Sequence, residues 1–566
     1  MTNYVQTHIH SDISLLDSCT KFQDYVQRAV ELGQTALAST EHGVIYNWVE
    51  KKNICNAAGL KYIHGVECYL TEKLKHTKLD GSTFKIRDNY HTILLAKNQE
   101  GIKELNSIVS KSSLDSHFYY KPRISFDEFL QLSDNIITTS ACLASSINLD
   151  NFNKTGQEIL EQCGENAYRE HLAWYEKLCQ RYDFFEVQPH YMSQEQAAFN
   201  EYLLSLAKKY QKPIICGCDV HSINNYKAEC RKIFKEYKKI EYLSEDDFDL
   251  TYHSYDEIYD MLKRQNVLSD AQIEEALHNT LVVADSVNDP DLDRTTKYPD
   301  MGDGAEDKFV NRVWSMFNKK IDDGVIPTSQ KAAFETKLDE EIRVFKKVNM
   351  CTFMLSMSEI IGWCKANGIA VGPSRGSCGG SCVAYVTDIT DLNPVRWNTV
   401  FSRFCNENRV EIGDIDVDIY EDDRPIVYQH IIDTFGKEKT AYVLALGTIA
   451  EKGTIDVIGG ALAKRWEKDH PDDEQNPYSL SIIAKIKKEY DNNPKGCKEK
   501  YPDIFYYFEG LVGTYQSQSM HPAGMIISPV TLADNYGTFV KDDMQILCLD
   551  MDNSHDVGLA KYDILG

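Results

Sequence analysis

The chain has 566 residues, too many for one core, and about three or four domains are expected. The composition is that of a soluble globular protein, and no apolar run is long enough to span a membrane. A net charge of −25 argues against nucleic acid on the bulk surface; a DNA contact would need a local basic groove or a second chain.

The N-terminal stretch has no signal-peptide character. The 16 cysteines form no metal-knuckle pairs and sit mostly inside apolar runs, as buried thiols do in a reducing cytoplasm. Residues 1–285 read as a β/α domain, with short apolar runs at 4–9, 36–39, 62–66, 92–96, 136–139, 184–187 and 214–217. Nearly every run carries a metal-ligand type of residue within it or at its edge: His8, His10, His42, Glu67, His91, Cys142, Glu186, Asp219 and His221. A β/α barrel builds a site at one rim in this way. A single histidine is better explained by a structural role, but repeated placement at strand ends is not. Imidazole and carboxylate suit zinc or manganese, and a thiolate among them favours more than one ion. Such a cluster would activate water for attack on a phosphate ester.

Residues 286–335 read as a connector with loops. From 331 to 367 the pattern is helical, with Leu338, Ile342, Phe345 and Val348 as its apolar stripe and Gly368 as its stop. A short strand at 369–371 leads into the glycine-rich turn 372–381, then a helical run. This turn, with Arg375 and Ser377, fits either a phosphate cradle or a tight structural turn. Residues 414–419 alternate acidic and apolar. In a strand Asp414, Asp416 and Asp418 share one face, with Ile415, Val417 and Ile419 on the other. Adjacent acids lie roughly 7 Å apart. The row fits either a solvated edge or a pair of divalent ions about 4 Å apart, as in two-metal phosphoryl transfer. Residues 437–514 are charged and helical, with a polar insert at 470–477. Strand-like segments return at 524–528 and 545–549, and Asp563 lies in a last strand-like run beside Lys561.

Together these motifs resemble the C-family alpha subunit of bacterial replicative DNA polymerase III. His8–Asp17 resembles the opening motif of that family's polymerase-and-histidinol-phosphatase (PHP) domain. Thr40-Glu-His-Gly43 is similar to its Thr-Asp-His-Gly, with Glu41 for Asp. Segments 65–69, 89–91, 140–142 and 218–221 match later PHP motifs. The ligands this implies are His8, His10, Asp17, His42, Glu67, His91, Cys142, Asp219 and His221. Glu186 is outside the family set. In the polymerase part, Val371-Gly-Pro-Ser-Arg-Gly-Ser377 resembles Val-Gly-Pro-Gly-Arg-Gly-Ser, with Ser374 for Gly. Gly413-Asp-Ile-Asp-Val-Asp418 resembles Pro-Asp-x-Asp-x-Asp, with Gly413 for Pro. Segments 387–394, 401–406 and 521–529, and Lys561-Tyr-Asp563, follow in family order.

The resemblance implies a multidomain α/β chain: a PHP β/α barrel, then a nucleotidyltransferase-type (polymerase beta-like) palm and a helical thumb. The boundaries read as PHP 1–285, first part of the palm 286–436, thumb 437–514, and second part of the palm 515–566, cut before the fingers. It implies a DNA-directed DNA polymerase. Asp414, Asp416 and Asp563 would be catalytic and hold two Mg²⁺, with Asp418 supporting. Arg375, Gly376, Ser377, Arg403, Arg409 and Lys561 would bind the triphosphate. The PHP site would use Zn²⁺ or Mn²⁺, for 3′→5′ proofreading. The implied partners are primer-template DNA, dNTPs, a second polypeptide or continuation carrying fingers and, through that missing part, a sliding clamp; no membrane is implied. The expected location is the cytoplasm, bacterial or of a host. A second polypeptide, a split gene and a fragment all account for the stop after Asp563, and a divergent, split sequence suits a bacteriophage. The competing readings are a free-standing PHP exonuclease or phosphoesterase and a non-catalytic scaffold.

Overall fold

The computed structural model describes residues 3–240, 245, 247–407, 415–471 and 475–565. The chain divides into two compact units, Met1–Pro290 with Leu446–Ser519, and Asp291–Ala445 with Met520–Gly566.

Among the described residues before Pro290 there are nine strands. They are β1 (Ala36–Ser39), β2 (Lys61–Thr71), β3 (His76–Thr77), β4 (Thr83–Phe84), β5 (Tyr90–Ala96), β6 (Arg123–Ser125), β7 (Ile136–Thr139), β8 (Phe185–Val187) and β9 (Ile214–Cys216). Strand β1 runs parallel to β2, β2 antiparallel to β5, β5 antiparallel to β7, and β8 parallel to β9. Single bridges continue this path: Thr139 to Phe184, and Ile9 to Val220. The Ala38 N–H donates to the Gln6 carbonyl at 3.1 Å, so the hydrogen-bonded path from segment 6–9 through β1, β2, β5, β7, β8 and β9 returns to its start. The β3–β4 hairpin and β6, which pairs with β2, lie outside it.

Alternate residues share a strand face. One set (Ala36, Ala38, Ile63, Ile93, Leu95, Ile137 and Ile215) forms one core with Val283, Ala284 and Val287 at the end of the helix Asp270–Ser286. The other set, including Leu37, Tyr62 and Leu94, is buried as well. Burial on both faces explains why these strands read as continuous apolar runs.

A second core in this unit packs the helix Asn225–Lys238 against helices Glu451–Asp469 and Pro502–Leu511. Cys230, Ile233 and Phe234 meet Ile455, Ile458, Ala461, Phe508 and Leu511. Two glycines permit the approach. A Cβ on Gly510 would lie 2.3 Å from Cys230 Sγ, and one on Gly460 2.7 Å from the Tyr237 ring.

A six-stranded sheet, most of it in the second unit, runs in the order β10, β15, β12, β11, β14, β13. Its strands are β10 (Asp416–Asp418), β11 (Thr440–Thr448), β12 (Tyr515–Ile527), β13 (Thr538–Lys541), β14 (Met544–Leu547) and β15 (Lys561–Leu565). The helical pattern expected over 331–367 splits into Lys331–Lys347 and Cys351–Ala366. Between them Asn349 takes a φ of 60°, a left-handed conformation that asparagine tolerates better than most residues. The stripe Leu338, Ile342 and Phe345 is buried in the first of these helices. The strand expected at 369–371 reduces to one bridge, Val371 to Ile419.

Candidate metal centre and acidic sheet

The nine ligand-type residues implied in the first unit come together. His8 lies in the apolar run at 4–9 and His10 just past it. His42 lies just past β1, Cys142 past β7, and Asp219 and His221 past β9. Glu67 is inside β2. His91 is the exception in sequence, since it stands at the beginning of β5. That strand runs antiparallel to both neighbours, so its N-terminal end lies where the others finish, with His91 opposite Tyr69.

Among the described residues three sets of donor atoms are close enough to hold a cation: His8, His10 and Asp219; His10, His42 and His221; and Glu67, His91 and Cys142. Glu67 links them. Its Oε1 lies 2.8 Å from His91 Nδ1 and 3.4 Å from His8 Nε2, and its Oε2 touches His42 Nδ1. Cys142 Sγ is 3.5 Å from His91 Nδ1. Asp17 Oδ2 lies 2.8 Å from His42 Nε2 and 3.1 Å from His221 Nε2. The His221 Nδ1–H donates to the Asp219 carbonyl at 2.7 Å, which leaves Nε2 with its lone pair toward the cluster.

Burial alone would keep the Glu67 carboxyl neutral, but His91 and His42 outweigh it and hold it well below the usual carboxylate range. Burial likewise opposes ionisation of Asp17, and Arg231 and His221 overcome it. Burial, then the charges of His42 and His221, push His10 down to about 3, so this imidazole is neutral with a lone pair available. Asp219 Oδ1 lies 3.1 Å from Nε2 of both His8 and His10, yet forms no hydrogen bond. An oxygen donor this close to two ring nitrogens suits a shared cation. With nitrogen, carboxylate and thiol donors side by side, the residues present fit zinc or manganese.

Glu41, the departure from the family motif, is in none of these donor sets. Its carboxylate accepts from Lys51 Nζ at 2.6 Å, Ser14 Oγ at 2.6 Å and the Ser11 N–H at 2.9 Å. It fixes the loop between His10 and Asp17. Two residues that sequence spacing did not single out also matter. Arg231, on the helix Asn225–Lys238, donates to Asp17 Oδ1 at 2.6 Å and to Glu245 Oε2 at 2.6 Å. Glu341 is buried and accepts from Ser381 Oγ, Cys382 N and Val383 N at 2.7, 2.8 and 2.9 Å, which anchors the end of the glycine-rich turn.

In the second unit β10 and β15 pair in parallel, with Asp416 opposite Asp563. Strands so paired lie about 4.8 Å apart, which brings the two carboxylates together. Asp414 and Arg409 fall outside the described residues. Asp418 accepts from Arg375 Nη1 at 2.9 Å, and Arg375 Nε lies 3.6 Å from Asp416. Lys561 Nζ is 2.7 Å from Asp563 Oδ2. On β12, Gly524 stands opposite Asp563; a Cβ there would lie 2.7 Å from Lys561 Cδ. Gly376 and Ser377 occupy an exposed turn directly after Arg375, and Arg403 ends another, Phe401–Arg403. The two turns pack closely: a Cβ on Gly380 would meet the Val400 carbonyl oxygen at 2.7 Å.

Comparison with known proteins gives two family matches. Residues 6–190 match the PHP domain, and residues 307–566 match the bacterial DNA polymerase III alpha NTPase domain. Asp219 and His221 lie beyond the PHP match and join the cluster through the fold. The chain is 29% identical over 600 residues to the DNA polymerase III subunit alpha of Campylobacter jejuni, covering 100% of this chain and 49% of the relative. Against the same subunit of Borreliella burgdorferi the identity is 28%, covering 100% and 48%. Against that of Aquifex aeolicus it is 26%, covering 100% and 51%. The chain thus spans about half the length of the curated relatives it matches. It joins a stretch that matches the PHP domain to one that matches the bacterial DNA polymerase III alpha NTPase domain, and along its whole length it is similar to DNA polymerase III alpha subunits.

Proposed function

We propose that this chain carries the nucleotidyl-transfer centre of a C-family replicative DNA polymerase, acting on primer-template DNA and dNTPs in the cytoplasm, together with a PHP phosphoesterase centre. In this reading the closed path of strands in the first unit is a β/α barrel with β5 reversed. The six-stranded sheet is the palm, and the helices within 437–514 are the thumb. The domain limits are 1–285, 286–436, 437–514 and 515–566.

The observation that carries the polymerase reading is the register of Asp416 with Asp563. Two acids about 150 residues apart in sequence meet on adjacent strands, beside Arg375 and Lys561. Divalent ions, Mg²⁺ in this reading, would be held by Asp416, Asp563 and Asp414, and would supply Lewis acidity for the attack of a primer hydroxyl. The chain's own residues do the rest. Arg375, drawn off Asp418, presents a fork of N–H donors to phosphate oxygens. Ser377 offers a hydroxyl, and the glycines beside it let the backbone approach the triphosphate. Lys561 offsets its charge, with Arg403 and Arg409 in support.

The test is primer extension, with a polypeptide added to supply the part of the relatives that this chain does not span. Asp416→Asn should abolish extension. Full extension by that variant would refute the palm assignment.

The nine-residue cluster favours a second activity on the same chain, removal of 3′ nucleotides. Asp17, His42 and His221 hold one end of the cluster and His91 and Cys142 the other, with Glu67 between. Zn²⁺ or Mn²⁺ loaded there should support 3′→5′ digestion of single-stranded DNA, and His10→Ala should remove it. No digestion by the loaded chain would leave the cluster as a structural metal site.

A further inference from the structure

Glu186 falls outside the nine residues, yet its carboxylate is buried directly behind one of them. Its Oε1 lies 2.6 Å from His8 Nδ1, with both side chains almost wholly buried. A carboxylate only accepts, so Nδ1 carries a proton and Nε2 is the nitrogen left to meet a cation. That Nε2 faces Asp219 Oδ1, His10 Nε2 and Glu67 Oε1, at 3.1, 3.1 and 3.4 Å. Glu186 therefore stands on the side of the ring away from the donor cluster.

The carboxylate is itself held on every side. Thr139 Oγ1 donates to Oε2 at 2.5 Å, and Gln188 Nε2 to Oε1 at 3.0 Å. The Glu186 N–H donates to Ser140 Oγ at 2.8 Å. Gln188 is tied in turn, since its N–H donates to Asn200 Oδ1 at 3.2 Å. Space has been made as well. A Cβ on Gly217 would lie 2.0 Å from Glu186 Oε1 and 2.3 Å from its Cδ. Gly217 is absent from the glycines with positive φ, so the backbone does not demand glycine there. Room for the carboxylate does.

We propose that Glu186 is a positioning residue that fixes the tautomer and orientation of His8 for a divalent ion at Nε2, and that Gly217 is glycine to admit it. This rests on the metal-centre reading. A hydrogen-bonded carboxylate behind a ligating imidazole orients the ring and raises its basicity, and losing such a partner typically weakens metal binding about 10–100-fold.

The test uses the whole chain, stripped of metal and titrated with Zn²⁺ against a chromophoric chelator. The wild-type chain should take up more than one ion. Glu186→Gln keeps size and burial but loses the charge; it should weaken one ion about 10–100-fold while the others keep wild-type affinity. Gly217→Ala, crowding the same carboxylate, should weaken the same ion. Unchanged affinity for every ion in a folded Glu186→Gln protein overturns the proposal. Equal weakening of all ions overturns it too, because a merely structural role loosens the whole cluster. If Glu186→Gln fails to fold, Thr139→Val decides: selective weakening supports the proposal and unchanged affinity overturns it. Uptake of no ion by the wild-type chain defeats the metal-centre reading itself.

Discussion

Asp416 and Asp563 look alike in sequence, each flanked by apolar residues, but the structure predicts that removing their charges has different consequences. Lys561 and Asp563 are paired at 2.7 Å with side chains 14% and 6% exposed, whereas Asp416 is 35% exposed and faces a half-exposed Arg375 at 3.6 Å. At an effective dielectric of 20 the Lys561–Asp563 attraction is roughly 6 kcal/mol before desolvation. Breaking a buried pair by deleting one partner costs about 3–5 kcal/mol, because the other charge stays behind uncompensated. Lys561 can lift its ammonium toward water, so Asp563→Asn should destabilise the second unit by about 2–3 kcal/mol. Asp416→Asn breaks only an exposed contact and should stay within about 1 kcal/mol of wild type. Both variants should lose primer extension. The assay is denaturant unfolding of the whole chain, with limited proteolysis to follow the second unit, since a chain of this size need not unfold in two states. Adding Lys561→Met to Asp563→Asn should recover part of the stability without restoring activity. Equal destabilisation by the two single variants, or no recovery in the double, would refute the reasoning.

Other consequences can be checked in the same preparations. Arg231→Met leaves Asp17 without its main counter-charge; it should destabilise the first unit by about 3 kcal/mol and weaken one Zn²⁺, read by denaturation and chelator competition. Glu41→Asp restores the family residue but shortens the reach to Lys51 and Ser11; it should cost about 1 kcal/mol and leave metal stoichiometry unchanged, whereas a lost ion would make Glu41 a ligand. Gly510→Ala, with its Cβ 2.3 Å from Cys230 Sγ, should destabilise by about 1–3 kcal/mol in thermal unfolding without changing Zn²⁺ affinity. Removing metal with a chelator should lower the unfolding midpoint of the first unit, and Zn²⁺ at a hundredfold excess over its Kd should add about 2.7 kcal/mol per site.

Much of the first unit was legible because strands buried on both faces leave short apolar runs, and nearly every run was tagged by a ligand-type side chain. The acidic row was legible from its period of two, although Asp414 lies outside the described residues. The long helical pattern after residue 331 was misjudged because the apolar stripe runs on toward Val348, while the break at Asn349 is a single left-handed residue. The turn anchor Glu341 was invisible, since it reads as one more charge on a helix and only its burial against Ser381 and Cys382 marks it.

The sequence by itself determined which residue types gather at strand ends, the two acidic motifs and the glycine-rich turn, because side-chain periodicity and composition are local. Only the tertiary structure decided that β5 runs backwards and so brings His91 to the cluster, that Asp563 sits in register with Asp416, and that Glu186 stands behind His8 in space left by Gly217. Those outcomes depend on hydrogen bonds and clearances between segments tens to hundreds of residues apart. Spacing along the chain does not encode them, whereas the pairing of strands does.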